Sequence, residues 1–222
     1  MNKTSKFKHF VLYGSQSSEK HIAHYRNLLL KIENNVPSPQ IKYLLTTPQN
    51  LTETLNSLNE PTYFFPLFLM EGVEYTGFTK NIKNNFLFEN IVGQPLEKYP
   101  EFLKLIFNGN INSVFLMHGS NRYDNLIKHK EIINFGESLG YQKYCFLEGF
   151  PFYKNSIKEE LEKHSFVEIT PIFFNKGKHI EIDLIDKFLN NYPQEKWQVN
   201  SCLLEREDII NAIAKIVKKG LE

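Results

Sequence analysis

The chain has 222 residues, 41% of them hydrophobic and 23% charged, enough for a sizeable core in one large domain or two small ones. With 26 basic against 25 acidic side chains the formal net charge is +1, so no global field draws the protein to nucleic acid or to an anionic membrane surface. The longest apolar run, Tyr63–Met70, is too short to span a bilayer. The N-terminal MNKTSKFKHFVLYG lacks the apolar centre and cleavage site of a signal peptide. Two cysteines, Cys145 and Cys202, form no Cys-x-x-Cys pair, which fits a reducing cytoplasm.

In chain order, HFVLYGS (9–15) reads as a buried strand ending at a glycine loop. Residues 17–32 place Ile22, Tyr25, Leu29 and Ile32 at helical spacing, with Ser17 or Ser18 as N-cap. A strand at 40–45 and a helix at 48–58, with Leu51, Leu55 and Leu58 on one face, come next. TYFFPLFL (62–69) is apolar enough for a strand buried on both faces. A helical stretch near 78–85, a strand at 85–92 and a helix at 96–107, with Pro100 in its first turn, close this half. The pattern then restarts. Strands are expected at 112–120, 142–151, 166–174 and 197–204, with helices at 125–140, 155–164, 181–192 and 206–220. Alternating strands and helices predict an α/β fold with parallel sheets.

The restart is an internal repeat. Pro66 of PLFLMEGVEY and Pro171 of PIFFNKGKHI lie 105 residues apart, as do Tyr13 of LYGS and His118 of MHGS. His24 and His129 keep the same offset, while PLEKYPEFLKLI matches LLEREDIINAIAKI at 108. Two similar lobes are expected, residues 1–108 and 109–222, each a four-stranded parallel sheet flanked by helices. Sites in such sheets form beyond the carboxyl ends of the strands, where His118, Glu148 and His179 all fall. Two imidazoles and a carboxylate suit a borderline divalent metal, and a neutral imidazole can also take up a proton. Each of the three, taken alone, also reads as a solvated or capping strand-end residue. The halves differ at these positions, Tyr13 against His118 and Glu74 against His179, so a single site belongs to the second half. There is no G-x-G-x-x-G after the first strand and no P-loop, against a nucleotide-binding enzyme.

On these residues the sequence resembles the class II tetrapyrrole chelatases: the anaerobic cobalt chelatases, the sirohydrochlorin chelatases and, more distantly, ferrochelatase. The resemblance rests on His118-Gly119-Ser120, on Glu148 with Pro151, and on Gly177-x-His179 with Asp183. In the first half it rests on Tyr13-Gly14-Ser15 and Gly72-x-Glu74-Tyr75. It implies two similar lobes with a tetrapyrrole held between them, and insertion of a divalent metal into sirohydrochlorin or a relative. Cobalt or iron would be the substrate metal, nickel being a further candidate, with no organic cofactor. His118 would take pyrrole protons with Glu148 as a second catalytic group, and His118, Glu148 and His179 would hold the metal. Tyr13, Ser15, Glu74, Ser120, Arg122 and Lys178 would contact substrate. For Arg122, Lys176 and Lys178 the other reading is solvated loop charges. Asp183 either orients His179 or is a first-turn helix acid. Phe173 and Phe174 are either core or macrocycle contacts. A carrier that binds metal or tetrapyrrole without inserting it is the alternative from another class. An exported metal-binding protein is a further one, against which the missing signal peptide argues. The sequence specifies no oligomeric state.

Overall fold

A computed structural model describes residues 6–15, 18–36, 38–85, 90–107, 110–119 and 123–222. Four parallel strands, β1 (His9–Tyr13), β2 (Lys42–Thr46), β3 (Thr62–Pro66) and β4 (Asn90–Val92), form a sheet in the order β2-β1-β3-β4. Around them run α1 (Glu19–Asn35), α2 (Leu51–Ser57), α3 (Val73–Asn85) and α4 (Pro100–Ile106). A second parallel sheet repeats the topology. It contains β5 (Val114–Gly119), β6 (Tyr144–Glu148), β7 (Val167–Pro171) and β8 (Trp197–Val199) in the order β6-β5-β7-β8. With it run α5 (Tyr123–Ser138), α6 (Tyr153–Lys163) and α7 (Glu207–Leu221). The expected pair of four-stranded parallel sheets is therefore present.

The chain forms two compact units, residues 1–102 with 210–222, and residues 103–209. The expected boundary at 108/109 left the last helix in the second lobe, whereas most of α7 belongs to the first unit. Its Gly220 shows why. A Cβ there would lie 2.3 Å from the Tyr63 hydroxyl, so the helix backbone rests directly on β3.

Hydrophobic burial builds each unit. β1 and β3 are buried along their whole length, as apolar strands covered on both faces should be. In the first unit Val11, Tyr13, Phe64, Phe68, Phe78 and Ile82 share a core. In the second, Val114 and Leu116 of β5 pack with Cys145, Leu147, Ile157, Ile180 and Leu184. Each fully buried aliphatic side chain of this kind contributes about 1.5–3 kcal/mol. The other face of β5 turns Phe115 toward Phe107, Tyr141 and Tyr144, with ring centroids 5.0–6.0 Å apart.

Several local expectations shift. Ser18 is the N-cap of α1, and Leu28, not Leu29, is buried with Tyr25 and Ile32. α3 begins at Val73, five residues before its expected start. Pro100 does open α4, where its missing N–H costs nothing. The stretch expected as a helix over 181–192 is a π-helical segment, His179–Asp186, followed by a 3-10 turn at Leu189–Asn191. β8 is only three residues long, and the chain then makes a 3-10 turn at Leu203–Glu205. Hydrogen bonds from Leu96 to Phe68 and from Leu203 to Phe173 are equivalent in the two units. They set that part of the repeat at 107 residues, one fewer than the sequence match.

Candidate metal-binding site at the switch point of the second sheet

β5 lies between β6 and β7, so the chain crosses from one side of β5 to the other. At such a reversal the loops after the two central strands diverge and leave a crevice at the carboxyl edge. His118 stands at the carboxyl end of β5, and the connection after β7 leads to His179.

Val114–Met117 are buried, and His118 is the first exposed residue of β5. It falls in the phase of Val114 and Leu116, on the face covered by the π-helical segment. Gly119 follows with φ +79, a left-handed conformation that favours glycine. A Cβ there would lie 1.7 Å from the Glu148 carbonyl oxygen, its partner residue in β6. The glycine thus lets β5 and β6 stay paired to their last residues.

His179 is held by a different route. The Ile172 N–H donates to the Leu116 carbonyl at 2.8 Å, fixing the start of the loop. Leu203 and Leu204 N–H groups donate to the Phe173 and Phe174 carbonyls, both at 2.8 Å. The Gly177 carbonyl then accepts from the Ile180 and Glu181 N–H groups, both at 2.9 Å, and opens the π-helical segment. Ile180 and Leu184 anchor that segment in the core, and His179, its first residue, stays half exposed. The Tyr153 hydroxyl, from α6, donates to the Asp183 carbonyl at 3.2 Å and ties the segment down from the other side.

The two imidazoles meet edge to face, with centroids 5.3 Å apart and planes at 85°. Phe173 stands beside His118 at 6.3 Å. The Asp183 carboxylate lies 3.0 Å from His179 Nδ1 and accepts from the Lys187 ammonium at 2.9 Å. Those hydrogen bonds, Lys187 first and His179 second, hold the Asp183 carboxyl below the usual carboxylate range.

The remaining expected residues are distributed as follows. Glu148 is exposed at the end of β6, one strand away from His118. Cys145 and Leu147 fill the core beside Leu116, so alternation gives Glu148 the phase of Phe146, toward His129 of α5. Among the described residues no three His, Cys, Asp or Glu side chains are gathered closely enough to hold a metal. The structure therefore brings together His118 and His179 and leaves Glu148 apart. Lys178 is exposed beside His179, and Lys176 is half-buried. Ser120 and Arg122 lie outside the described residues. Tyr13, Ser15 and Glu74 belong to the first unit. Tyr13 is a core residue, its ring 4.3 Å from Phe78. Burial, and after it the Glu74 charge, pushes its hydroxyl pKa up. Ser15 is half-buried after β1, and Glu74 is exposed in the first turn of α3. Lys187 escaped the sequence reading, although its spacing four residues after Asp183 was there to be read.

Paired four-stranded parallel sheets of one topology, flanked by helices, make a chelatase-like α/β fold. The chain has the fold of the sirohydrochlorin chelatases. It is similar to SirB from Bacillus subtilis with Fe3+ at a TM-score of 0.69, covering 97% of this chain and 96% of that one at 16% identity. It is similar to the cobalt complex of the sirohydrochlorin chelatase SirB from Bacillus subtilis subspecies spizizenii at 0.65, with 16% identity and the same coverage of both chains. It is also similar to CbiX, the terminal enzyme for biosynthesis of siroheme in denitrifying bacteria, at 0.66, with 16% identity over 96% of this chain and 99% of that one. No protein-family model and no curated protein sequence matches the chain.

Proposed function

We propose that this protein inserts a divalent metal, cobalt or iron, into sirohydrochlorin or a closely related tetrapyrrole, for siroheme or cobalamin synthesis. The observation that carries the reading is the His118–His179 pair, 5.3 Å apart at the switch point of the second sheet. The likeness to folds solved with Fe3+ and with cobalt supports it.

The reaction removes two pyrrole N–H protons, strips water from the metal and forms metal–nitrogen bonds to the ring. A dication enters as two protons leave, so the charge balances. Imidazole is suited to both tasks as a borderline donor and as a base near neutral pH. We assign proton removal to His118 and the metal to His118, His179 and Glu148. The Glu148 carboxylate would have to swing toward the imidazoles to join them. Lys178, Arg122, Ser120 and Ser15 are assigned to the carboxylates of the substrate, and Glu74 and Tyr13 to further substrate contacts. Cys145 and Cys202, both buried and neither in a disulfide, support placing this chemistry in the cytoplasm. Among the described residues no helix is long and apolar enough to cross a membrane.

The test is anaerobic incubation of the protein with sirohydrochlorin and Co²⁺, Fe²⁺ or Ni²⁺ in turn, following the absorbance spectrum. Insertion shifts the macrocycle bands at a rate proportional to protein concentration. Binding of metal or tetrapyrrole with no such catalysed shift for any of the three metals would overturn the enzyme reading in favour of a carrier.

A further inference from the structure

We propose that Asp183, braced by Lys187, is a positioning residue that fixes the His179 ring as the Nδ1–H tautomer and leaves Nε2 as its metal donor. This rests on the chelatase reading for its purpose, but the geometry behind it is independent of any substrate.

An imidazole next to a metal must present a lone pair, and which nitrogen carries it is set by what the other nitrogen touches. His179 Nδ1 lies 3.0 Å from Asp183 Oδ2. An ionised carboxylate only accepts, so a neutral ring in this contact carries its proton on Nδ1. The other carboxylate oxygen, Oδ1, takes the Lys187 ammonium at 2.9 Å. Both oxygens are thus engaged, and the carboxylate cannot turn away from His179 without giving up Lys187. The Asp183 backbone is held as well, because its carbonyl accepts from the buried Tyr153 hydroxyl. His179, Asp183 and Lys187 follow one another at intervals of four along and just beyond the π-helical segment, and each pair is in contact.

His118 is set by other means to the same end. Its Nδ1 lies 3.2 Å from the Gly119 carbonyl, which also only accepts. The two rings therefore share a tautomer, and each keeps Nε2 as the nitrogen with the lone pair. The supports differ in strength. His118 leans on a neutral carbonyl and His179 on a carboxylate. A carboxylate partner makes the opposite nitrogen the stronger metal donor. Of the two rings, His179 is the better built for holding the metal, and His118, on the weaker support, shares the metal and moves the protons.

Long-range ¹H–¹⁵N spectra of the full chain, labelled with ¹⁵N-histidine and recorded at pH 8 without metal, read the tautomer directly. We expect the Nδ1–H pattern for His179. Titration with Co²⁺ alone, followed by its visible absorption, then reads the consequence. Asp183→Ala should weaken Co²⁺ binding about 10–100-fold and release the tautomer preference. Asp183→Asn, which retains an acceptor oxygen, should lose less. A wild-type His179 protonated on Nε2 would overturn the proposal, as would an Asp183→Ala chain that binds Co²⁺ as tightly as the wild type. If Asp183→Ala does not fold, the wild-type spectrum alone decides. If the wild type binds no Co²⁺, the chelatase reading is what fails, and the spectrum still decides the role of Asp183.

Discussion

Leu116 stands opposite Pro171 across the β5–β7 ladder, the place that Tyr13 takes opposite Pro66 in the first sheet. The hydrogen bonds agree: Leu67 N–H donates to the Tyr13 carbonyl, and Ile172 N–H to the Leu116 carbonyl. His118 is thus not the structural counterpart of Tyr13. It lies two residues further out on the same side of the strand, at the level that Ser15 occupies in the first unit. That step explains why Tyr13 is buried among Phe68 and Phe78 while His118 reaches solvent.

Because His118 is exposed and packs little, replacing it should cost chemistry and not structure. His118→Ala is expected to slow metal insertion about 10²–10⁴-fold, the usual range for a lost general base. Its melting temperature should stay within a few degrees of the wild type. Initial rates of the absorbance change and a thermal melt check both halves of the statement.

The distances separate the two remaining metal donors. His179→Ala breaks a pair already formed, so Co²⁺ binding without tetrapyrrole should weaken by at least an order of magnitude. Glu148→Gln removes a carboxylate that stands apart, so the same binding should change by less than about threefold, while the insertion rate falls about 10²-fold or more. Equal loss of Co²⁺ affinity in the two variants would show that Glu148 already sits with the histidines in solution.

Gly119 has no room for a side chain. Gly119→Ala combines a positive φ with a Cβ 1.7 Å from a backbone oxygen, so β5 and β6 must part at their ends. A loss of roughly 2–4 kcal/mol is expected. Denaturant titration measures it, and a change below about 0.5 kcal/mol would contradict the geometry.

Two buried groups bound the pH range of stability. Burial holds the His9 imidazole below its ordinary 6.5, so the unfolded chain binds the extra proton more readily as the pH drops. Stability is full above 6.5 and declines as the pH falls through that value toward the lower folded one. Burial pushes the Cys145 thiol above its ordinary 9.0, so the unfolded chain loses that proton first. Stability is full below 9.0 and declines as the pH rises past it. Tyr63 and Tyr144, raised mainly by burial, add to the decline above 10.0. Melting temperatures across this range should show a plateau between these limits. His9→Asn should flatten its acid side and Cys145→Ala the onset of its alkaline side.

The sequence disclosed the sheets well, because buried parallel strands such as TYFFP are written in uninterrupted apolar residues. It disclosed less of the segment after His179, where Ile180 and Leu184 fit an α-helix as readily as a π-helix. In the structure that segment is tied to residues distant in sequence, such as Tyr153 through the Asp183 carbonyl, and local spacing does not show such ties. The repeat showed the same limit. Matching LYGS to MHGS aligned the glycines, but strand register follows ladder hydrogen bonds to β3 and β7, which no local pattern records. In the site, the glycine-flanked histidines were legible from their place after strands. Glu148 was placed correctly on its strand end, but its facing depends on the phase of β6, set by Cys145 and Leu147 in the core. Lys187 looked like any solvated lysine until Asp183 was seen between it and His179.

The path of the chain carries a final consequence. The first unit is discontinuous, because residues 210–222 return to it after the whole second unit has been traversed. During synthesis the second unit is the first to have all of its residues outside the ribosome. The Tyr63 side chain of β3, against which Gly220 packs, lacks that cover until α7 emerges. The order of completion is thus the reverse of the order of synthesis, and the half with the histidine pair can close before the half that precedes it.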